Sequence, residues 1–243
     1  MSDILQRIVA VKHDEVAAAK RVRDAAMLRR AVLKANFDAL LSRYTRCVSL
    51  KDVCGVSAGG TPSRGNSSFF GGHIPWVKTL DLNFGLVVDT EEKISQAAFD
   101  AIRGELLPIG TVMVAMYGGV GTIGKSGILG IEACTNQAVC ALKPNIEELD
   151  AEFLHLWLSY IRPEWIRLAG GNRKDPNINK AIVENMTLPL PPIQQQRCTV
   201  TRLKTQLAEA DALRAALEQQ QRELNALPQR ILAQAFDPHG VSP

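Results

Sequence analysis

The sequence predicts an α+β fold: a mixed α/β block over residues 45–198, flanked by long coiled-coil-type α-helices over 1–44 and 199–237, with a tail at 238–243. Three observations predict it. Apolar residues recur at three- and four-residue steps near both ends, the period of one helix face. Between them, Gly and Pro punctuate short apolar runs, as in strands and turns. Finally, Leu28-Arg29-Arg30-Ala31-Val32-Leu33-Lys34-Ala35-Asn36-Phe37-Asp38 is echoed in apolar pattern by Leu227-Pro228-Gln229-Arg230-Ile231-Leu232-Ala233-Gln234-Ala235-Phe236-Asp237. A helix repeated on either side of one globular unit reads as a spacer that holds that unit at a fixed distance from a second copy.

Residues 2–43 read as the first helix, because Ile4, Ile8, Val11, Ala18, Val22, Ala25 and Leu28 share a helical period and no proline precedes Pro62. In the block, residues 74–77, 86–88, 111–116 and 138–142 read as strands, and 95–102 and 149–168 as helices. Pro189, Pro191 and Pro192 mark a stiff boundary, since consecutive prolines cannot join a helix interior. Beyond it, Val200, Leu203, Leu207, Ala210, Leu213, Leu217, Leu224, Leu227 and Ile231 form a seam, with Gln206, Arg214 and Gln220 in or beside it. The short step from Ala210 to Leu213 would locally overwind a supercoil. A helix of this length exceeds the globular mean and favours a coiled coil over a surface helix packed on its own domain.

Hydrophobic residues make up 46% of the 243, and charged residues 22%, which is ordinary for a folded soluble protein. The five cysteines (Cys47, Cys54, Cys134, Cys140 and Cys198) form no C-x-x-C pair, an odd set that suits a reducing cytoplasm rather than a disulfide framework. No apolar run is long enough for a bilayer, and Asp3 lies where an export signal would be apolar. The net charge is +3, but the block at 45–198 carries 14 basic against 15 acidic residues. Any nucleic-acid contact there must come from local clusters, not a broad basic field.

Gly119-Val120-Gly121-Thr122-Ile123-Gly124 satisfies the dinucleotide-binding spacing, but Lys125-Ser126-Gly127-Ile128-Leu129-Gly130 is too glycine-rich to open the helix that mechanism needs. It reads instead as a loop between two strands, presenting Tyr117 and Lys125. His13, His73, His155 and His239 lie far apart with no metal-ligand spacing, and no nucleophile elbow or P-loop occurs. No cofactor, metal or catalytic residue is therefore expected. Two polar loops stand out. Gly59-Gly60-Thr61-Pro62-Ser63-Arg64-Gly65-Asn66 combines close backbone approach with small donors and an arginine, and Gly170-Gly171-Asn172-Arg173-Lys174-Asp175-Pro176-Asn177 adds Asn to Arg and Lys. The second also reads as a solvated turn capping a helix from Asn179 onward. Trp76 reads as core, with Lys78 and Thr79 following it.

In order and spacing, these motifs resemble the DNA-specificity subunit of type I restriction–modification systems, in a half-length form with one target-recognition domain. The resemblance is carried by Gly59-Gly60-Thr61-Pro62-Ser63-Arg64; by Ile74-Pro75-Trp76-Val77-Lys78-Thr79-Leu80-Asp81; by Met116-Tyr117-Gly118 through Thr122-Ile123-Gly124; and by Thr135-Asn136-Gln137-Ala138. Asn177-Ile178-Asn179, Leu188-Pro189-Leu190-Pro191-Pro192-Ile193 with Gln196, and Leu232-Ala233-Gln234-Ala235-Phe236 complete it. It implies a non-catalytic subunit that reads one half of a split double-stranded DNA sequence and docks methyltransferase (modification) subunits, with a restriction subunit left open. Two copies would pair through their long helices as a homodimer. Residues 1–27 also look like the N-terminal helix of indole-3-glycerol phosphate synthases, whose barrel is not recognisable downstream.

The expected contacts follow. Arg64, Lys78, Arg173 and Lys174 would meet phosphates or guanine. Ser63, Asn66, Thr79, Tyr117, Asn172 and Asn177 would meet base edges or bridging water, and Lys125 would lie beside them. Two other classes remain: a protein-interaction scaffold that reads no DNA, favoured by the near-neutral block, and an enzyme of indole intermediates, resting on the first helix alone.

Overall fold

A computed structural model describes residues 2–119, 121–169 and 177–235. The chain opens with α1 (Ser2–Leu41), then β1 (Cys47–Ser49), α2 (Leu50–Val53), β2 (Cys54–Ala58), β3 (Phe70–Val77), β4 (Leu86–Val87) and β5 (Glu92–Ile94). There follow α3 (Gln96–Ala101), β6 (Val112–Ala115), β7 (Ser126–Leu129), β8 (Cys134–Thr135), β9 (Val139–Pro144), α4 (Ala151–Leu168), α5 (Lys180–Glu184), β10 (Thr187–Pro189) and α6 (Ile193–Ala235). Every strand and helix expected from the sequence is present. Those strands not expected are short, and β2, β5 and β7 among them carry a glycine or charges. The fold is α+β with long helices at its ends.

Two compact units divide the chain, one formed by residues up to Val32 together with those from Arg202, the other running Leu33–Thr201. The central unit therefore begins earlier than residue 45. The reason is Phe37, which is fully buried with ring centroids 5.7 Å from Phe153, 5.3 Å from Trp157 and 5.1 Å from Tyr160. Tyr160 Oη donates to Asp38 Oδ1 at 2.7 Å beside it. Likewise α6 starts at Ile193, six residues before the expected 199, because the Pro192 carbonyl accepts the first helical bonds from Gln195 and Gln196.

Within the central unit, five strands order as β2-β9-β6-β7-β4, antiparallel except for β4 on β7. Met113, Ala115, Val139 and Ala141 turn one face onto a core with Val77, Leu82, Val87, Leu107 and Leu129. Their neighbours Val112, Val114, Cys140 and Leu142 are also fully buried, and α4 packs against β6 and β7. A sheet buried on both faces explains why these strands read as unbroken apolar runs. A smaller sheet orders β5-β3-β8, and Ile74, Trp76, Ile94, Ala98 and Cys134 form its core. Strands β1 and β10 pair antiparallel and tie the ends of the unit together.

In the helical unit, Ala18 and Ala25 of α1 and Leu203, Leu207 and Ala210 of α6 are buried, and Arg29 pairs with Asp211. Leu213 leaves the expected seam: it is 49% exposed and, with Leu217, lines a groove of about 300 Å³ beside Arg21, Asp24, Ala25 and Leu28. The buried positions Leu203, Leu207 and Ala210 keep the four-and-three step, and Leu217, seven residues beyond Ala210, is half-buried. No described helix is long and apolar enough to cross a membrane.

Candidate nucleic-acid interface

The loop after β2 is fixed by close approach. A Cβ on Gly59 would stand 1.6 Å from the Thr135 carbonyl oxygen, so only glycine fits there. Gly60 N–H donates to the same carbonyl at 3.1 Å, Trp76 Nε1 donates to the Gly60 carbonyl at 3.1 Å, and Thr61 pairs with Gln137. This clamp presents the turn that carries Ser63, Arg64 and Asn66, all exposed. Asn66 Oδ1 accepts from Ser68 N at 3.2 Å and so caps the short 3-10 turn that follows.

Arg64 and Lys78 are brought together by a residue the sequence did not single out. Both terminal nitrogens of Arg64 donate to Glu92, at 2.8 and 3.2 Å, and its guanidinium lies 4.5 Å from the Phe70 ring centroid and 5.5 Å from that of Trp76. Lys78 Nζ donates to Glu91 at 2.7 Å and Glu92 at 2.8 Å. The antiparallel register of β3 on β5, which sets Trp76 opposite Glu92, creates this cluster. The hydrogen bonds from Arg64 and then Lys78 hold the Glu92 carboxyl below its ordinary range. Burial alone would lower the Lys78 ammonium, but its bonds to Glu91 and Glu92 outweigh that and raise it. Thr79, half-buried, follows at the start of a second 3-10 turn whose Asp81 accepts from Lys78 N.

A second group gathers Tyr117 and Asn177. They line a cleft of about 290 Å³ with Leu168, Ala169, Ile178, Asn179 and Ile182. The buried Ile178 donates its N–H to the Met116 carbonyl at 3.0 Å, and Asn179 caps α5 by accepting from Ile182 N at 2.9 Å. The glycine-rich loop joins antiparallel β6 and β7 and enters no helix, so it lacks the helix N-terminus a dinucleotide site requires. Arg162 on α4, another residue the sequence did not mark, pins that loop by donating to Ile123 and Gly121 carbonyls at 3.2 and 2.9 Å. Lys125, half-buried at the loop's end, lines neither the cleft nor the Arg64 cluster among the described contacts. Asn172, Arg173 and Lys174 lie outside the described residues.

The surroundings offer little for covalent chemistry. Burial pushes the thiols of Cys54 and Cys140 up to about 12 and that of Cys134 to about 11, which keeps them protonated and unreactive. His155 is also structural: its Nε2 faces the Phe84 carbonyl at 3.2 Å, so Nε2 carries the proton and Nδ1 accepts from Ser126 Oγ at 3.1 Å.

The type I restriction modification DNA specificity domain, as a family, matches residues 46–221. The chain is similar to the type I restriction enzyme EcoBI specificity subunit of Escherichia coli, 31% identical over 167 residues that cover 67% of this chain and 35% of that one. It is also similar to the type I restriction enzyme MjaIX specificity subunit of Methanocaldococcus jannaschii, 23% identical over 63% of this chain and 35% of the relative. It thus spans 35% of the length of each of these two curated relatives. Among solved structures, one determined for complex assembly and conformational transition of the type I R-M system superposes with TM-score 0.78 at 21% identity, over 99% of this chain and 58% of that one. The HsdS subunit from Thermoanaerobacter tengcongensis gives TM-score 0.63 at 21% identity, over 99% and 57%. These structural likenesses concern the fold, and they take in the N-terminal helix as well as the central unit.

Proposed function

This chain belongs to the type I restriction modification DNA specificity family, and from that premise we propose that it is a non-catalytic subunit reading one half of a split DNA sequence. The observation that carries the proposal is the family match, whose span takes in nearly all of the central unit with both polar clusters. Loops 59–69 and 116–125, the segment around Arg173 and Lys174, and Asn177 would face the major groove, where Arg forks and Asn or Tyr side chains can distinguish base edges. Methyltransferase subunits would dock on the chain and supply the chemistry, and a restriction subunit would be a further partner.

Two copies would pair through their helical units. Leu5, Val9, Val16 and Met27 of α1 are each more than 60% exposed and repeat on one helical face, opposite the face that buries Ala18 and Ala25. This leaves apolar surface for a second chain. A homodimer has two-fold symmetry, so its target would be two identical, inverted half-sites. Five free cysteines support a reducing compartment, the cytoplasm.

The test is binding to a random-sequence duplex across a salt series, with and without a methyltransferase subunit. Affinity that falls linearly on logarithmic axes shows the duplex contact that DNA reading requires and a scaffold would lack. Absence of duplex binding in both forms refutes it and leaves the scaffold reading, which the near-neutral central block favours. Mass measurement of the purified chain decides the dimer.

A further inference from the structure

Over residues 45–198 the chain holds slightly more acids than bases, 15 against 14, yet a DNA reader needs cations. The Arg64 cluster reconciles the two facts. Arg64 and Lys78 bring two positive charges, Glu91 and Glu92 two negative ones, and all four are joined by hydrogen bonds of 2.7–3.2 Å. The group is neutral although the Arg64 and Glu91 side chains are 57% and 66% exposed.

The geometry is specific. Arg64 spends both terminal nitrogens on the two oxygens of one carboxylate, end-on, and these are the donors that a guanine O6/N7 pair would engage. The two bidentate contacts exclude each other. A phosphate that displaced Glu92 would leave that carboxylate without its fork beside a polyanion, so the exchange with bare backbone is unfavourable. A base edge held by the surrounding loops adds hydrogen bonds that offset this cost. Stacking on Phe70, within 5.5 Å of Trp76, keeps the guanidinium in place while its partner changes.

We propose that Glu92, assisted by Glu91, is a specificity-determining residue: it masks Arg64 and Lys78 from the phosphate backbone and so suppresses binding to non-target DNA. The inference rests on the DNA-reading function proposed above. Masked cations release no counterions, and each one unmasked onto a phosphate steepens the salt dependence by a slope of about 0.9.

The experiment titrates the full chain against a fluorescent random-sequence duplex over a range of NaCl concentrations. Glu92→Gln is expected to bind more tightly, by roughly eightfold at 0.1 M salt, the factor that one added slope of about 0.9 gives relative to 1 M. Its slope should steepen by about one, and adding Arg64→Ala should return it toward the starting value. Glu91→Gln, at a more exposed position, should steepen the slope in the same direction. If Glu92→Gln fails to fold, as judged by its melting transition, Glu91→Gln decides alone. Unchanged or shallower slopes in the folded variants overturn the masking role while leaving DNA reading intact. A chain that binds no duplex in any variant overturns the DNA-reading function, and this inference with it.

Discussion

At the scale of single residues, the side chains that define the family resemblance turn out to hold the frame. Gln196 is fully buried; its Nε2 donates to the Glu148 carbonyl at 2.7 Å and the Pro191 carbonyl at 2.8 Å, and its Oε1 accepts from Asp150 N at 2.9 Å. One amide thus locks the start of α4 to the start of α6. Gln196→Leu keeps the volume but strands three backbone groups, so chemical denaturation should show a loss of about 3–5 kcal/mol. Gly59→Ala has nowhere to put its methyl except against the Thr135 carbonyl. It should cost about 1–3 kcal/mol and displace the turn bearing Arg64, read as weakened binding to the selected target with little change at distant loops. Acidity bears on the same network. Glu92 titrates below its ordinary value when folded, so its contribution is intact above about pH 4.5 and is lost as pH falls through the lowered value. Tyr160, raised to about 12 first by burial and then by its bond to Asp38, behaves oppositely: its contribution is complete below pH 10 and disappears as pH rises towards 12. Melting temperatures across pH should fall at both extremes, and Tyr160→Phe should abolish the alkaline limb attributable to this group.

Elements explain what was legible and what was not. The long helices announced themselves by period, β6 and β9 by the apolar runs that a doubly covered sheet demands, and β3 of the smaller sheet by its short apolar run at Ile74–Val77. Strand β5 is only Glu92–Ile94, too short and too charged to carry a pattern. Because it was invisible, the partner of Arg64 and Lys78 was invisible too: the cluster exists only through pairing across β3 and β5. Arg162 escaped for the same kind of reason, since its work is done on carbonyls some forty positions earlier in sequence, at Gly121 and Ile123. By contrast, Asn179 as a helix cap and Trp76 as core were readable from local pattern alone. The end of α1 also belongs with the central block, through Phe37. Phe37→Ala should cost about 3–5 kcal/mol, detectable as a lowered unfolding midpoint, because the ring is wedged among Phe153, Trp157 and Tyr160. Arg162→Ala should free the glycine-rich loop and raise amide exchange over residues 121–124 without unfolding the sheet.

Across the whole molecule, the fold of a mixed α/β unit and a helical unit recurs in a chain solved for assembly of the type I R-M system, over 99% of this chain and 58% of that one. Under the proposed function, each chain carries one reading domain and associates with further polypeptides. That function requires the domain to select a base sequence. The most direct measurement is enrichment from a pool of randomised duplexes by the chain assembled with a methyltransferase subunit, followed by sequencing of the retained DNA. The expected result is a single short motif, recovered as two inverted copies at fixed spacing, with one position relaxed by Arg64→Ala. Retention of DNA with no enriched motif would contradict it.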